Sequence, residues 1–146
     1  MAVTALLKLA GFTNGLRYVD FAHQAPAQLQ PMLSQYPLGF GQWLQALTYA
    51  LSQPREIAIV GDPDFANTQA LVSVVRDGYR PYQVVALGAP GAQSPCVPLL
   101  QDRGQLDGQA TAYVCRDFAC QVPITTKGAL EQFLGMSRER ANVAPL

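Results

Sequence analysis

The clearest hydrophobic pattern in this chain is an uninterrupted apolar run, Ile57-Ala58-Ile59-Val60, which ends in the turn residues Gly61-Asp62-Pro63. Short continuous apolar runs rich in β-branched residues are typical of strands buried on both faces of a parallel sheet. A stretch with helical spacing from Asn67 to Val75 and a second apolar run from Tyr82 to Leu87 follow. Strand, helix and strand in this order predict a βαβ unit with a right-handed crossover.

Residues 1 to 52 carry apolar positions at helical spacing and predict three helices. The first is expected to stop at Gly11, and the second to begin with Asn14 as its N-cap and to kink or break at Pro26 and Pro31. The third is expected from about Gly39 to Leu51. The predicted apolar faces consist of Val3, Leu6, Leu7 and Ala10 in the first helix; Tyr18, Phe21, Ala22, Ala25 and Leu29 in the second; and Phe40, Trp43, Leu44, Leu47 and Leu51 in the third.

The C-terminal half adds a β-hairpin and a closing helix to the βαβ unit. The further predicted elements are a helical turn at Val97–Leu100, strands at Thr111–Cys115 and Ala119–Val122 around a turn at Asp117 and Phe118, and a helix at Thr126–Leu134 that stops at Gly135 before a loosely held tail. The predicted fold class is α/β, with a small mixed sheet of about four strands. We expect a helical segment over residues 1–53 and a small α/β module over residues 54–146.

Composition narrows the range of partners. Only 14 % of the residues are charged, and ten basic residues balance ten acidic ones. This balance lacks the excess positive charge that attracts nucleic acid or an anionic membrane surface. No apolar run approaches the roughly 20 residues that span a bilayer, and the N-terminus does not resemble a secretion signal. We therefore expect a cytoplasmic protein that binds neither nucleic acid nor membrane.

The turn after the first predicted strand is a candidate ligand site, because open α/β sheets bind ligands at the carboxyl ends of their strands. The residues concerned are Gly61, Asp62, Asp64, Asn67 and Thr68. The loop fits neither a Walker sequence nor a dinucleotide fingerprint, and its two carboxylates would repel a phosphate. The favoured interpretation is therefore a turn in which Asp64 or Asn67 caps the following helix.

The second candidate is the pair Cys115 and Cys120, which a hairpin would place opposite each other on adjacent strands. The C-x4-C spacing is not the C-x-x-C pattern that lowers a thiol pKa. A zinc site would need further ligands, and the remaining Cys96 and His23 lie in distant segments. Two reduced thiols are the favoured interpretation, with a redox pair as the alternative. We expect no metal, no cofactor and no catalytic residue.

Three segments of the sequence resemble a known family. They are the stretch from Arg55 to Pro63 that ends in the turn Val60-Gly61-Asp62-Pro63, the segment Thr68-Gln69-Ala70-Leu71, and the run from Asp107 to Pro123 that contains both hairpin cysteines. In this order they resemble the C-terminal end of the large thioredoxin-domain-containing proteins related to spermatogenesis-associated protein twenty. The resemblance implies that residues 1 to 52 correspond to the last helices of a six-hairpin (α/α) barrel and residues 55 to 135 to a small α/β end piece.

Three functions remain open at this point. The leading hypothesis is a non-catalytic interaction module whose residues 1–52 contact the remainder of a larger parent protein or a second copy of the chain. The alternatives are a thiol-disulfide redox protein using Cys115 and Cys120, and small-ligand binding at the Gly61–Asp64 loop.

Overall fold

The computed structural model describes residues 2–91, 96–116 and 119–142, with the backbone alone from residue 136. Its helices are α1 (Ala2–Thr13), α2 (Leu16–Gln35), α3 (Gly41–Leu51), α4 (Ala66–Arg76) and α5 (Lys127–Asn142), with short 3₁₀ turns at Pro37–Phe40 and Pro98–Leu100. Its strands are β1 (Arg55–Val60), β2 (Gln83–Gly88), β3 (Thr111–Arg116) and β4 (Ala119–Cys120). None of the described helices combines the length and apolarity needed to cross a membrane.

The four described strands form one mixed sheet in the order β2-β1-β3-β4. Strands β1 and β2 run parallel with α4 between them in sequence, whereas β1 pairs with β3, and β3 with β4, in antiparallel register. The α/β fold class, the βαβ unit and the hairpin are therefore confirmed. Asp117 and Phe118, the predicted centre of the hairpin turn, lie outside the described residues.

Strand β1 is buried on both faces because a different layer covers each side. On one face, Ile57 and Ile59 pack with Leu71 of α4 and with Leu130 and Leu134 of α5. On the other face lies a second cluster, formed by Ala58 of β1, Val84 and Ala86 of β2, and Leu99 and Leu100 of the 3₁₀ turn, with Phe12 of α1 against it. The strand needs a continuous apolar run because its alternate side chains enter two separate cores, one on each face of the sheet.

Helix α1 buries Val3, Leu7 and Ala10 as predicted, but it continues past Gly11 to Thr13. Gly11 is not a helix stop. A Cβ added there would lie 3.0 Å from Cγ2 of Val84 in β2. The missing side chain instead allows the helix to approach the sheet closely.

Helix α2 is continuous through Pro26 and Pro31, so of the two predicted alternatives the break is wrong, while the kink stays a prediction. Pro26 is itself buried, and packing against α1 and α3 holds a helix that the sequence alone would interrupt. The predicted N-cap is also wrong, because Gly15 occupies that position without a side-chain cap, while Asn14 has a positive φ of 51°.

The buried face of α3 differs from the predicted leucine stripe. Ala46 and Tyr49 are the buried residues of α3, and Trp43 packs partly against the same cluster. Small Ala46 sits in a cluster with Ala22 of α2, where short side chains permit close helix packing. Leu51 is 74 % exposed as a result.

The C-terminal helix is longer than predicted. Leu130, Leu134 and, in part, Phe133 enter the core as expected. However, α5 extends through Gly135 to Asn142, so the predicted stop at Gly135 is wrong. The predicted loose tail is wrong as far as Asn142, and residues 143–146 lie outside the described residues. A single glycine costs a helix only about 1 kcal/mol, which the continuing turns on either side can offset.

Gly61, directly after β1, marks a tight contact between layers. A Cβ at this position would lie 2.5 Å from Oγ1 of Thr68 and 2.8 Å from Cβ of Ala110. Both neighbours are buried, so neither can move aside into solvent. The glycine therefore allows β1, α4 and the start of β3 to converge.

We predict that Gly61→Ala lowers the free energy of unfolding by about 1 to 3 kcal/mol, because the added methyl overpacks this junction. Urea unfolding followed by circular dichroism measures the change. Gly104→Ala is the matched control, since a Cβ at Gly104 meets nothing within 4 Å. Equal stabilities of the two variants would contradict the packing role of Gly61.

Tyr49 of α3 is a buried phenol where the helices meet the sheet. Its ring packs edge-on against Tyr82, with centroids 6.2 Å apart, and Lys8 Nζ lies 5.9 Å from the ring centroid. Burial, followed by the negative charge of Glu56, raises the pKa of Tyr49 to about 12. The folded state therefore favours the neutral phenol.

We predict that stability falls as the pH rises from about 10 to 12, because an unfolded tyrosine ionises near 10 while folded Tyr49 does not. The contribution is fully present below pH 10. Tyr49→Phe should remove this part of the loss, on the order of 2 kcal/mol, whereas Tyr36→Phe at an exposed site should keep it. Urea unfolding at pH 9 to 12 tests the prediction, which fails if both variants follow the parent curve.

Candidate functional site

One transverse row of the sheet places chemically active side chains next to each other. Val84, Glu56, Cys115 and Cys120 are successive register partners across β2, β1, β3 and β4. Register partners project from the same face of a sheet. The Glu56 methylene Cγ lies 3.9 Å from the Cβ position of Gly11, so this face is the one that α1 covers. A carboxylate and two sulfurs therefore share one row on this face, which α1 covers at its Val84 and Glu56 end.

Cys115 and Cys120 are joined by a disulfide. The predicted pair of reduced thiols is wrong, because the antiparallel register sets the two residues directly opposite each other, within bonding reach. The two sulfur sites differ in access, because Cys115 is only 1 % exposed whereas Cys120 lies at the surface. Cys96, the remaining cysteine, is free and exposed.

Arg103 contacts both sulfurs of this disulfide. Its Nη1 donates to Sγ of Cys115 at 3.0 Å and to Sγ of Cys120 at 2.9 Å. Its guanidinium carbon lies 5.3 Å from the centroid of the Tyr113 ring. A single partly buried cation therefore serves both members of the cysteine pair.

The side chains of Thr111 and Tyr113 on β3 form hydrogen bonds to the backbone of the loop that carries Arg103. The Tyr113 hydroxyl donates to the Gly104 carbonyl at 2.7 Å, and the Leu106 amide donates to Oγ1 of Thr111 at 2.9 Å. Thr111 is fully buried and also donates to the Gln109 carbonyl. These bonds hold the backbone next to Arg103 against β3.

The electrostatics of the row centre on Arg103 and Glu56. Burial lowers the pKa of Arg103, while Tyr113 and the Glu56 carboxylate act in the opposite direction. Arginine keeps its proton at physiological pH in proteins, so the group remains a cation. A cation at hydrogen-bond distance from sulfur stabilises a thiolate and lowers the pKa of a thiol. The arrangement can therefore support thiol-disulfide exchange.

A separate feature is a cavity of about 350 Å³, which lies between α1, α2, α3 and the start of β1. Apolar residues form most of its wall, and His23, Tyr49 and Gln53 contribute polar groups. Glu56 is 6 % exposed and borders the cavity. His23, the one histidine in the sequence, lines the same cavity, although it is largely exposed.

Arg103 and Glu56 are site residues beyond those predicted from the sequence. Glu56 carried a recognisable signal, since it is a charged residue at the head of an otherwise apolar strand. Arg103 carried none, because it lies in a polar connection and reaches the cysteines only through the folding of that loop. Cys115 and Cys120 were identified from their spacing alone.

The Gly61 turn has a different character. Asp62 Oδ1 accepts a hydrogen bond from the Asp64 amide at 3.0 Å, and the Phe65 amide donates to the Asp62 carbonyl at 3.1 Å. Phe65 is the N-cap of α4 and makes no side-chain cap bond, so neither Asp64 nor Asn67 caps the helix as predicted. The reason is that Asp62 stabilises the turn through Asp64, and the helix begins at Ala66, one residue ahead of Asn67.

Thr68, the last residue predicted for this ligand site, lies beneath the turn and is 1 % exposed. Within the described part of the chain its Oγ1 has no hydrogen-bond partner. The close approach of Gly61 covers this hydroxyl, so it faces the interior and not the loop surface. Asp62 and Asp64 stay near the surface. Ligand binding at this loop remains a prediction.

Comparison with known proteins places these features in context. Human spermatogenesis-associated protein 20 is 33 % identical over 132 residues, which is 88 % of this chain and 17 % of the human protein. The rat and mouse proteins of the same name are 28 % and 27 % identical over the same length. The chain therefore spans 17 % of the length of the curated relatives it matches.

No protein-family model and no solved structure matches the chain. The resemblance carried by the Gly61 turn and the cysteine hairpin is nevertheless confirmed by the three relatives. Over most of its length, this chain is homologous to the C-terminal part of spermatogenesis-associated protein 20.

Proposed function

We propose that this chain is a non-catalytic interaction module of a larger, thioredoxin-domain-containing protein, and that its α2–α3 region packs against helices of that protein. The observation that carries the proposal is the uncovered apolar surface of this region. Leu51 at the end of α3 is 74 % exposed, and Leu38 in the turn before α3 is fully exposed. Phe21 and Met32 of α2 are also exposed. We call these four residues the outer helical surface.

The exposure of Leu51 is a consequence of how α3 is oriented. Its buried face is centred on Ala46 and Tyr49, which leaves Leu44 and Leu47 only half-buried on the side where Leu51 lies. Leu44, Leu47 and Leu51 follow the i, i+3, i+7 spacing of a face made for packing. Contiguous exposed apolar surface in a folded protein marks an interaction site. The stripe therefore fits a second layer of helix outside α3.

The occupant that we favour is more of the same polypeptide. The curated relatives contain several times more protein than the region matched here, so each has ample chain to supply such a layer. The low charged fraction of 14 % also suits a surface that is covered by protein. A second copy of the chain is the alternative occupant, and the isolated chain would use it as a substitute.

We predict that the isolated chain self-associates through the outer helical surface, and that Leu38→Glu combined with Leu51→Glu weakens this association at least about tenfold. Burying one leucine contributes roughly 1.5 to 3 kcal/mol, and 1.4 kcal/mol corresponds to a factor of ten in affinity. Sedimentation velocity over a range of concentrations measures the change. The melting temperature should stay nearly constant, because both side chains are exposed.

The matched control is Phe65→Glu combined with Val122→Glu, which removes two exposed apolar side chains from the α/β part. This variant should associate like the parent chain. A parent chain that is monomeric at every concentration, or a control that disrupts association equally, would contradict the use of the helical surface.

A labelling experiment separates the two occupants. In a Cys96→Ser background, Leu51→Cys should react rapidly with a maleimide in the dilute isolated chain. It should be protected when the chain is expressed with the protein encoded in frame ahead of Met1. Equal labelling rates, or the absence of any such upstream protein, would contradict a role within a larger polypeptide.

A further inference from the structure

We propose that Cys115 and Cys120 form a reversible thiol-disulfide exchange site, in which a dithiol attacks Cys120 and Arg103 stabilises the Cys115 thiolate that leaves. This activity goes beyond the interaction role described above and does not depend on it. It rests on the placement of one cation at both sulfurs and on the unequal access to the two sulfurs.

Access defines the direction of attack. Cys120 lies at the surface on the edge strand β4, whereas Cys115 is buried on β3, beside Glu56 in the register row. An incoming thiolate must approach one sulfur with the other as the leaving group. Because Cys120 is the exposed residue of the pair, its Sγ is the sulfur attacked, and Sγ of the buried Cys115 is the sulfur released.

The reaction balances with a dithiol as the reductant. Its first thiolate bonds to Sγ of Cys120, the Cys115–Cys120 bond breaks, and the electron pair stays on Sγ of Cys115. The second thiol of the reductant then loses its proton and attacks its partner sulfur in the mixed disulfide, releasing Cys120 as a thiolate. Two electrons have passed to the protein, two protons end on its cysteines, and the reductant leaves as a disulfide.

Arg103 acts on the released sulfur as a positioning residue. Its Nη1 is already 3.0 Å from Sγ of Cys115 in the oxidised state, so no movement is needed to meet the new negative charge. A neutral disulfide sulfur is only a weak acceptor, whereas a thiolate forms a charge-assisted hydrogen bond. The contact is therefore stronger after the bond breaks than before, which favours reduction.

The negative charge of Glu56 disfavours a thiolate at Cys115, and the positive charge of Arg103 offsets this effect. Glu56 neighbours Cys115 in the register row, and its carboxylate would oppose a thiolate at the same buried face. Arg103 interacts electrostatically with Glu56 and bonds to both sulfurs, so one cation offsets both negative groups. A disulfide that served only to join two strands would need no cation at this position.

The rate of reduction by dithiothreitol tests the role of Arg103. The experiment uses the full chain in a Cys96→Ser background, with alkylation and mass spectrometry to count free thiols. We expect complete, reversible gain of two thiols in the parent and about tenfold slower reduction in Arg103→Gln, since a hydrogen bond to a charged group corresponds to at least about a tenfold change. Arg103→Lys, which keeps the charge, should be intermediate.

Arg116→Gln is the matched control, because Arg116 follows Cys115 on β3 and therefore projects from the opposite face of the sheet. It should reduce at the parent rate. Circular dichroism melts of the oxidised forms show whether each variant is folded. Equal slowing in Arg103→Gln and Arg116→Gln, or parent rates in both, would overturn the assignment, as would a parent disulfide that resists dithiothreitol.

The two single-cysteine variants test the direction of attack. In Cys115→Ser the remaining exposed Cys120 should form a mixed disulfide with oxidised glutathione at least about tenfold faster than Cys115 does in Cys120→Ser, because access to a sulfur governs its exchange rate. Similar rates, or a faster Cys115, would contradict attack at Cys120.

Discussion

The central constraint on this structure is that β1 must be covered on both faces. Its alternating side chains send Ile57 and Ile59 towards α4 and α5, and Ala58 towards α1 and the Pro98–Leu100 turn. Neither layer alone could bury the strand, so the N-terminal helices cannot be separated from the sheet without exposing one of its faces. The same alternation directs Glu56 to the α1 side, where it joins the row that ends in the disulfide.

Helix α1 links the two parts of the chain. One side of it contacts β2 at Gly11, and the other packs with α2 and α3 through Val3 and Leu7. The inward-facing surfaces of the helical region therefore pack both against the sheet and against one another. The outer helical surface, which carries Leu38 and Leu51, is not covered by any described residue. This division explains how a chain with a well-formed core still presents large apolar side chains to solvent.

The elements that the sequence predicts correctly are those whose pattern is contained within a few neighbouring residues. The apolar run of β1 and the cysteine hairpin were recognised because strand alternation and turn residues are encoded within a few positions. The face of α3 was not, since three leucines outweigh one alanine in a hydrophobic pattern, while close packing selected Ala46. Helix α2 does not break at Pro26 for a related reason: tertiary contacts offset a local cost that propensity alone counts as decisive.

The candidate site shows the same limit more sharply. The sequence paired Cys115 with Cys120 but could not bring Arg103 to them, because that contact depends on a loop held by Tyr113 and Thr111. Register also had to be known before Glu56 could be placed beside Cys115. Spacing in the sequence therefore identifies two residues that face each other within one hairpin. Neighbours from segments that are distant in sequence are identified only by the folded structure.

Amide hydrogen exchange of the dilute chain tests the central claim most directly, since it reports the stability of each layer separately. The account predicts that β1, β3 and α1 exchange together at the slow, global rate, because each is needed to cover the others. It predicts faster exchange in α3, whose outer side lacks a covering layer. Exchange from α3 as slow as that from β1, or early exchange from α1 while β1 stays protected, would contradict it.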